Sequence, residues 1–115
     1  NVRDLLIYWY KKQAEKIIIE RCKYISQKFN FILNKIKINN AKTRWGSCSK
    51  KGNVNFTWRL VMTPIEVIDY VIIHELVHLL HHNHSKIYWS TVEQYMPEYK
   101  IYEDWLKKNY NLVNI

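Results

Sequence analysis

Glycine and proline are nearly missing from this chain, with two of each in 115 residues. That scarcity excludes collagen-like and low-complexity architectures and leaves few places for tight turns. Cysteine is as rare: Cys22 and Cys48 are too few for the disulfide framework of a small secreted domain. Free thiols in a reducing cytoplasm are therefore expected, and a Cys22–Cys48 bridge is the alternative. No apolar run approaches the roughly 20 residues that span a bilayer. The N-terminus also lacks the arrangement of a secretory signal peptide, so no membrane partner is expected. Acidic groups are outnumbered 10 to 18 by Lys and Arg, which raises the question of a polyanionic partner.

What is present is a globular composition, 48% hydrophobic and 24% charged, and the length suits one core rather than two. A single domain over residues 1–115 is expected. The charge is uneven. Residues 1–60 carry 14 Lys/Arg and 3 Asp/Glu, and residues 61–115 carry 4 and 7. The basic half is suited to weak nucleic-acid association, although lysine-rich helices are commonly only solvated faces.

Apolar side chains at Leu6, Tyr10, Ala14, Ile17/Ile18, Cys22, Ile25 and Phe29 recur every three to four residues, which predicts a long amphipathic helix over residues 3–30. Lys35 to Ile38 alternates with period two, Thr43 to Cys48 reads as a second short strand, and Gly52 supplies the next turn. Val54 to Leu60 alternates again and predicts a half-buried strand. Thr63-Pro64-Ile65-Glu66 has the form of a capping box with proline at the first helical position, so a helix is expected from there to about His82. Asn83 is suited to a left-handed turn, Ser85 to capping a helix that runs to Met96, and Pro97 to opening a last helix through Asn109. The fold class is thus α+β: a long N-terminal helix, a short antiparallel sheet, a central helix and two C-terminal helices.

The central helix carries His74-Glu75-Leu76-Val77-His78. Histidines four residues apart project from one face a turn apart, so both imidazoles can reach one tetrahedral zinc ion. Glu75 falls beside them, placed to take a proton from water that the metal has made acidic. Polar groups on so apolar a helix would cost several kcal/mol unless paired or metal-bound. A catalytic zinc needs a third protein ligand. His84 is the leading candidate, since a chain turning back after the helix would deliver it. Glu98 and Glu93 compete, and His81 and His82 are close in sequence but less suited. For stabilising an oxyanion, Tyr88 is the first candidate and Arg44 and His82 are weaker ones. A substrate backbone could pair with a strand edge at 43–48 or 54–60.

These features point to a zinc-dependent hydrolase acting on peptide bonds. The rival readings are a binding module with structural zinc that docks on nucleic acid, and an amidohydrolase acting on a non-peptide carbonyl.

The runs Arg44-Trp45-Gly46-Ser47-Cys48-Ser49, Pro64 to Tyr70, His74 to His78, Asn83-His84-Ser85 with Tyr88-Trp89, and Pro97 to Leu106 together resemble the YgjP-like metallopeptidases, zincins related to the SprT-like group. The resemblance implies a small zincin domain in which His74, His78 and His84 bind Zn2+ and Glu75 is catalytic. It also implies a peptide or protein substrate, and that this chain is the C-terminal, catalytic portion of a longer protein. The family often has phenylalanine where this chain has Tyr88, which weakens a catalytic role for that hydroxyl. The glycine and the methionine turn of metzincins are not matched.

Overall fold

A computed structural model describes residues 1–113. Helix α1 covers Val2–Phe29; the side chain of Asn1 caps its start by accepting from the Asp4 N–H at 2.9 Å. It ends at Asn30, whose left-handed backbone (φ 60°) is the sole positive φ outside glycine among the described residues. At 1.5 Å per residue this helix is about 42 Å long, close to the 47 Å long axis of the molecule. Ala14, Ile18, Cys22 and Ile25 are buried along one face. The stripe does not stay inside throughout: Leu6 is 51% exposed, because the first turns of α1 project past the core.

Three short strands follow: β1 (Lys35–Asn39), β2 (Gly46–Cys48) and β3 (Asn53–Thr57). The sheet order is β1-β3-β2, with β2 antiparallel and β1 parallel to β3. The expected all-antiparallel sheet is therefore corrected to a mixed one. The chain leaves β1, crosses to the far side and returns through the β2–β3 hairpin, so β3 inserts in the middle running the same way as β1. Gly52 makes the hairpin turn at φ +84°, a conformation that favours glycine.

The strand expected to reach Leu60 stops at Thr57, and Trp58–Met62 forms a 3-10 turn. Period two fails there because both sides are buried. The Thr57 hydroxyl donates to the Ala41 carbonyl at 2.8 Å, and Arg59 reaches Asn40 Oδ1 and the Ala41 carbonyl at 2.9 and 3.1 Å. Trp58 Nε1 donates to the same Asn40 oxygen at 2.8 Å. The loop after β1 thus folds over residues that the alternation would have placed in water.

Helix α2 spans Ile65–Val77. The capping box does not form: the Thr63 hydroxyl donates back to the Leu60 carbonyl at 2.8 Å, and Pro64 is the cap rather than the first helical residue. The helix also ends before His82, at a turn in which the N–H groups of His78, Leu79 and Leu80 bond three residues back. Nine of its thirteen residues are buried, between α1, the 3-10 turn, β2 and the later helices. Arg21 of α1 grips Asp69 of α2 through two bonds of 2.9 and 2.7 Å. Helices α3 (Lys86–Tyr95) and α4 (Tyr99–Lys108) follow as expected, with Ser85 accepting from the Tyr88 N–H at 3.4 Å. Asn83 does not take the left-handed conformation; the connection from α2 to α3 turns without it.

Candidate metal centre and active site

The last turn of α2 sets the site. His74 sits inside it, and His78 caps it in a near-helical conformation (φ −63°, ψ −17°), so the two rings remain one turn apart on one side. The loop after the helix carries His84 back toward both. His84 Nε2 lies 3.0 Å from His78 Nε2 and 3.3 Å from His74 Nε2. One nitrogen from each of the three lies within 4.8 Å of the others, and among the described residues this is the one such group of His, Cys, Asp or Glu that could hold a metal. Glu93 and Glu98 are exposed and outside it.

The far sides of the rings have their own partners. His78 Nδ1 lies 3.1 Å from the His81 carbonyl, which requires the proton on Nδ1 and leaves Nε2 as a bare lone pair. His74 Nδ1 faces the Tyr70 hydroxyl at 3.4 Å. His84 is instead steadied by stacking on Trp89, with centroids 5.7 Å apart at 25°. Burial, with the neighbouring His78 and His84, pushes the His74 imidazole down to about 3. It is therefore neutral at ordinary pH. Three imidazole nitrogens aimed at one another make a donor set suited to a borderline-soft cation such as zinc. Outward hydrogen bonds that fix a ring's tautomer are the usual support of such ligands.

Glu75 lies against β2, on the wall of the same cavity as His74 and His84, and is 7% exposed. Burial lifts its carboxyl to about 7, against the opposing pull of the Arg44 guanidinium. A carboxyl near that value can exchange a proton at neutral pH. Its slot exists because residue 46 has no side chain: a Cβ there would lie 3.1 Å from Glu75 Cγ, the Asn55 carbonyl oxygen and Phe56 Cδ1. Gly46→Ala is expected to displace the carboxylate, lowering kcat about 10- to 100-fold with KM and metal content little changed. A KM-against-kcat comparison on the metal-loaded protein checks this; unchanged kcat would remove Gly46 as a positioning residue.

Tyr88 is not free to act on a substrate. Its side chain is fully buried, its hydroxyl donates to the His74 carbonyl at 2.7 Å, and its ring stacks on His78 at 4.6 Å. It is a floor under the histidines rather than an oxyanion donor. His82 is exposed and stands outside the histidine cluster. Arg44, by contrast, lines the cavity that opens beside His74 and Glu75. Sequence reasoning missed Gly46, Tyr70 and Trp89 as supports. A signal existed for two of them: Tyr70 lies one helical turn before His74, and Gly46 is one of only two glycines. Cys22 and Cys48 are both free thiols, the first buried and the second half-buried.

A family model for the YgjP-like metallopeptidase domain matches residues 1–109. Among solved structures, the metallopeptidase zymogen abylysin of Pyrococcus abyssi superposes with a TM-score of 0.69 at 23% identity, covering 80% of this chain and 94% of its own. At that identity the likeness speaks for the fold. The metallopeptidase zymogen jannalysin of Methanocaldococcus jannaschii gives 0.57 at 26% identity, over 86% of this chain and 96% of its own. No curated protein sequence matches. The chain belongs to the YgjP-like metallopeptidase family.

Proposed function

We propose that this YgjP-like metallopeptidase is a zinc peptidase of the His-Glu-x-x-His type, in which His74, His78 and His84 hold the ion and Glu75 is the general base. The observation that carries the reading is the convergence of three imidazole nitrogens beside one buried carboxylate at the head of a cavity. When bound, zinc supplies Lewis acidity, polarising a carbonyl and making water acidic near neutral pH. The protein's part is to hold that water's proton acceptor in place. Glu75, raised by burial and flanked by Gly46 and Arg44, accepts the proton and can return it to the leaving amine. Arg44 is the remaining candidate for steadying the oxyanion.

The three-ligand set favours catalysis over structure, since structural zinc closes its shell with four protein ligands and no fourth His, Cys, Asp or Glu joins the group among the described residues. Strand β2 favours a peptide over a small carbonyl compound. It lies at the sheet edge, β3 being paired on both sides. The Trp45 carbonyl is taken by the Thr57 N–H at 3.0 Å, so by alternation Gly46 turns its own N–H and carbonyl outward, beside Glu75. An extended substrate can add there as a further strand. Metal analysis coupled to a peptide-library cleavage assay tests the proposal: one zinc per chain with metal-dependent cleavage is expected, and a zinc-loaded protein that cleaves no peptide would sink it.

Two further parts of the reading concern surroundings. No described helix is long and apolar enough to cross a membrane, and the two free thiols support a cytoplasmic location. The outer face of the sheet sets exposed Lys35 and Lys37 opposite Asn53 and Asn55, which supports weak nucleic-acid association. Binding should then fall steeply as salt rises, since each phosphate contact releases counterions. A gel-shift or anisotropy titration showing no binding at about 50 mM salt, where such contacts are strong, would reduce the basic half to a solvated surface.

A further inference from the structure

The cavity beside Glu75 has a volume of about 410 Å3 and is walled by side chains that catalysis does not need. Trp45 stands on one side, at the entry to β2. Val71 of α2 is part of the lining. Leu106 of α4 and Tyr110, just beyond α4, form the opposite wall. The Tyr110 hydroxyl donates to the Thr43 carbonyl at 3.4 Å, so the segment just after α4 is tied to the chain entering β2. Charged side chains line it too, among them Arg44, Glu103 and Lys107. Glu103 pairs with Lys107 at 3.8 Å on the same helix face, and Arg44 is the guanidinium that acts on Glu75. A mostly apolar chamber with a few polar groups, and a size within the about 300–1,000 Å3 range of binding pockets, is built to take an apolar group. His74 and Glu75 form its inner end, so that group must belong to a residue next to the bond being cut.

We propose that this cavity is the specificity pocket, and that it selects peptides with a large apolar side chain, aromatic or long aliphatic, adjoining the scissile bond. The assignment rests on the peptidase reading above. The chamber disfavours charged side chains because most of its lining is apolar, and it discriminates against small ones because they leave apolar wall unfilled. Leu106 sets its width, and Tyr110 sets how far a side chain can extend toward the mouth.

The test uses the full zinc-loaded chain and internally quenched peptides that differ only at one residue, Phe, Leu, Ala or Asp, placed on each side of the cleaved bond in turn. For the side that enters the pocket, kcat/KM for Phe and Leu should exceed that for Ala and Asp by about 10- to 100-fold. Leu106→Arg, which fills the chamber, should abolish the preference; Tyr110→Ala, at a side chain that is 53% exposed and so carries little folding risk, should shift it toward longer residues. A calorimetric titration of the same peptides into Glu75→Gln should give the same order of affinity without turnover. A preference altered in either variant supports the pocket. Equal cleavage of all four peptides, or a preference unaltered in both variants, overturns it and leaves the peptidase reading standing. Ordered binding with no cleavage by the zinc-loaded chain overturns the peptidase and keeps the pocket, and neither binding nor cleavage overturns both.

Discussion

Glu75→Gln is expected to keep its metal and lose hydrolysis by about 10²- to 10⁴-fold, the usual worth of a general base. The substitution is nearly isosteric, so the slot beside Gly46 stays filled. It leaves the imidazoles of His74, His78 and His84 untouched. It should not weaken the fold either, since burial already disfavours the charged form of this carboxyl and an uncharged amide avoids that cost. Zinc content, thermal melting and kcat on one cleaved peptide separate the possibilities. Lost zinc would mean that the carboxylate helps hold the ion, and unchanged turnover would remove Glu75 from the mechanism.

His84→Ala should cost more zinc affinity than the roughly 10- to 100-fold typical of losing an outer partner of a ligand, because it removes one of three protein nitrogens. Its partner experiment is Glu98→Ala, expected to leave zinc content unchanged. Glu98 lies at the start of α4, exposed and outside the histidine group. His84 is exposed as well, yet its Nε2 lies 3.0 and 3.3 Å from the other two. Competition with a chromogenic chelator measures both variants. Zinc that survives loss of His84 but not of Glu98 would transfer the third position to the glutamate and overturn the ligand set.

Much of this arrangement was legible in the sequence where a local rule decides the outcome. Helix α1 and the histidine pair follow from residue spacing, and Ser85 caps α3 as its type suggests. Less was legible where distant segments decide. Period two over 54–60 is real, since Val54, Phe56, Trp58 and Leu60 are all buried, but the loop carrying Asn40 and Ala41 covers the other side and the backbone coils into a 3-10 turn. Nothing local announces that β1 pairs parallel to β3, because that depends on where the hairpin docks. The slot for Glu75 is hidden for the same reason. A glycine near a strand reads as a turn or weak point, and only the packing of α2 on β2 reveals that it makes room for a carboxylate.

The insertion of β3 between β1 and β2 has a consequence for the order of assembly. The hairpin of β2 and β3 closes by contacts between near neighbours in sequence, whereas β1 joins β3 across a longer stretch of chain. The three histidines lie close together in the chain and need α2, the loop behind it and α3, whose Tyr88 and Trp89 support their rings. Glu75 meets Gly46 only after the hairpin has docked. During refolding, capture of the ion should therefore run ahead of catalytic competence, with a lag set by the slower, longer-range closure of the sheet.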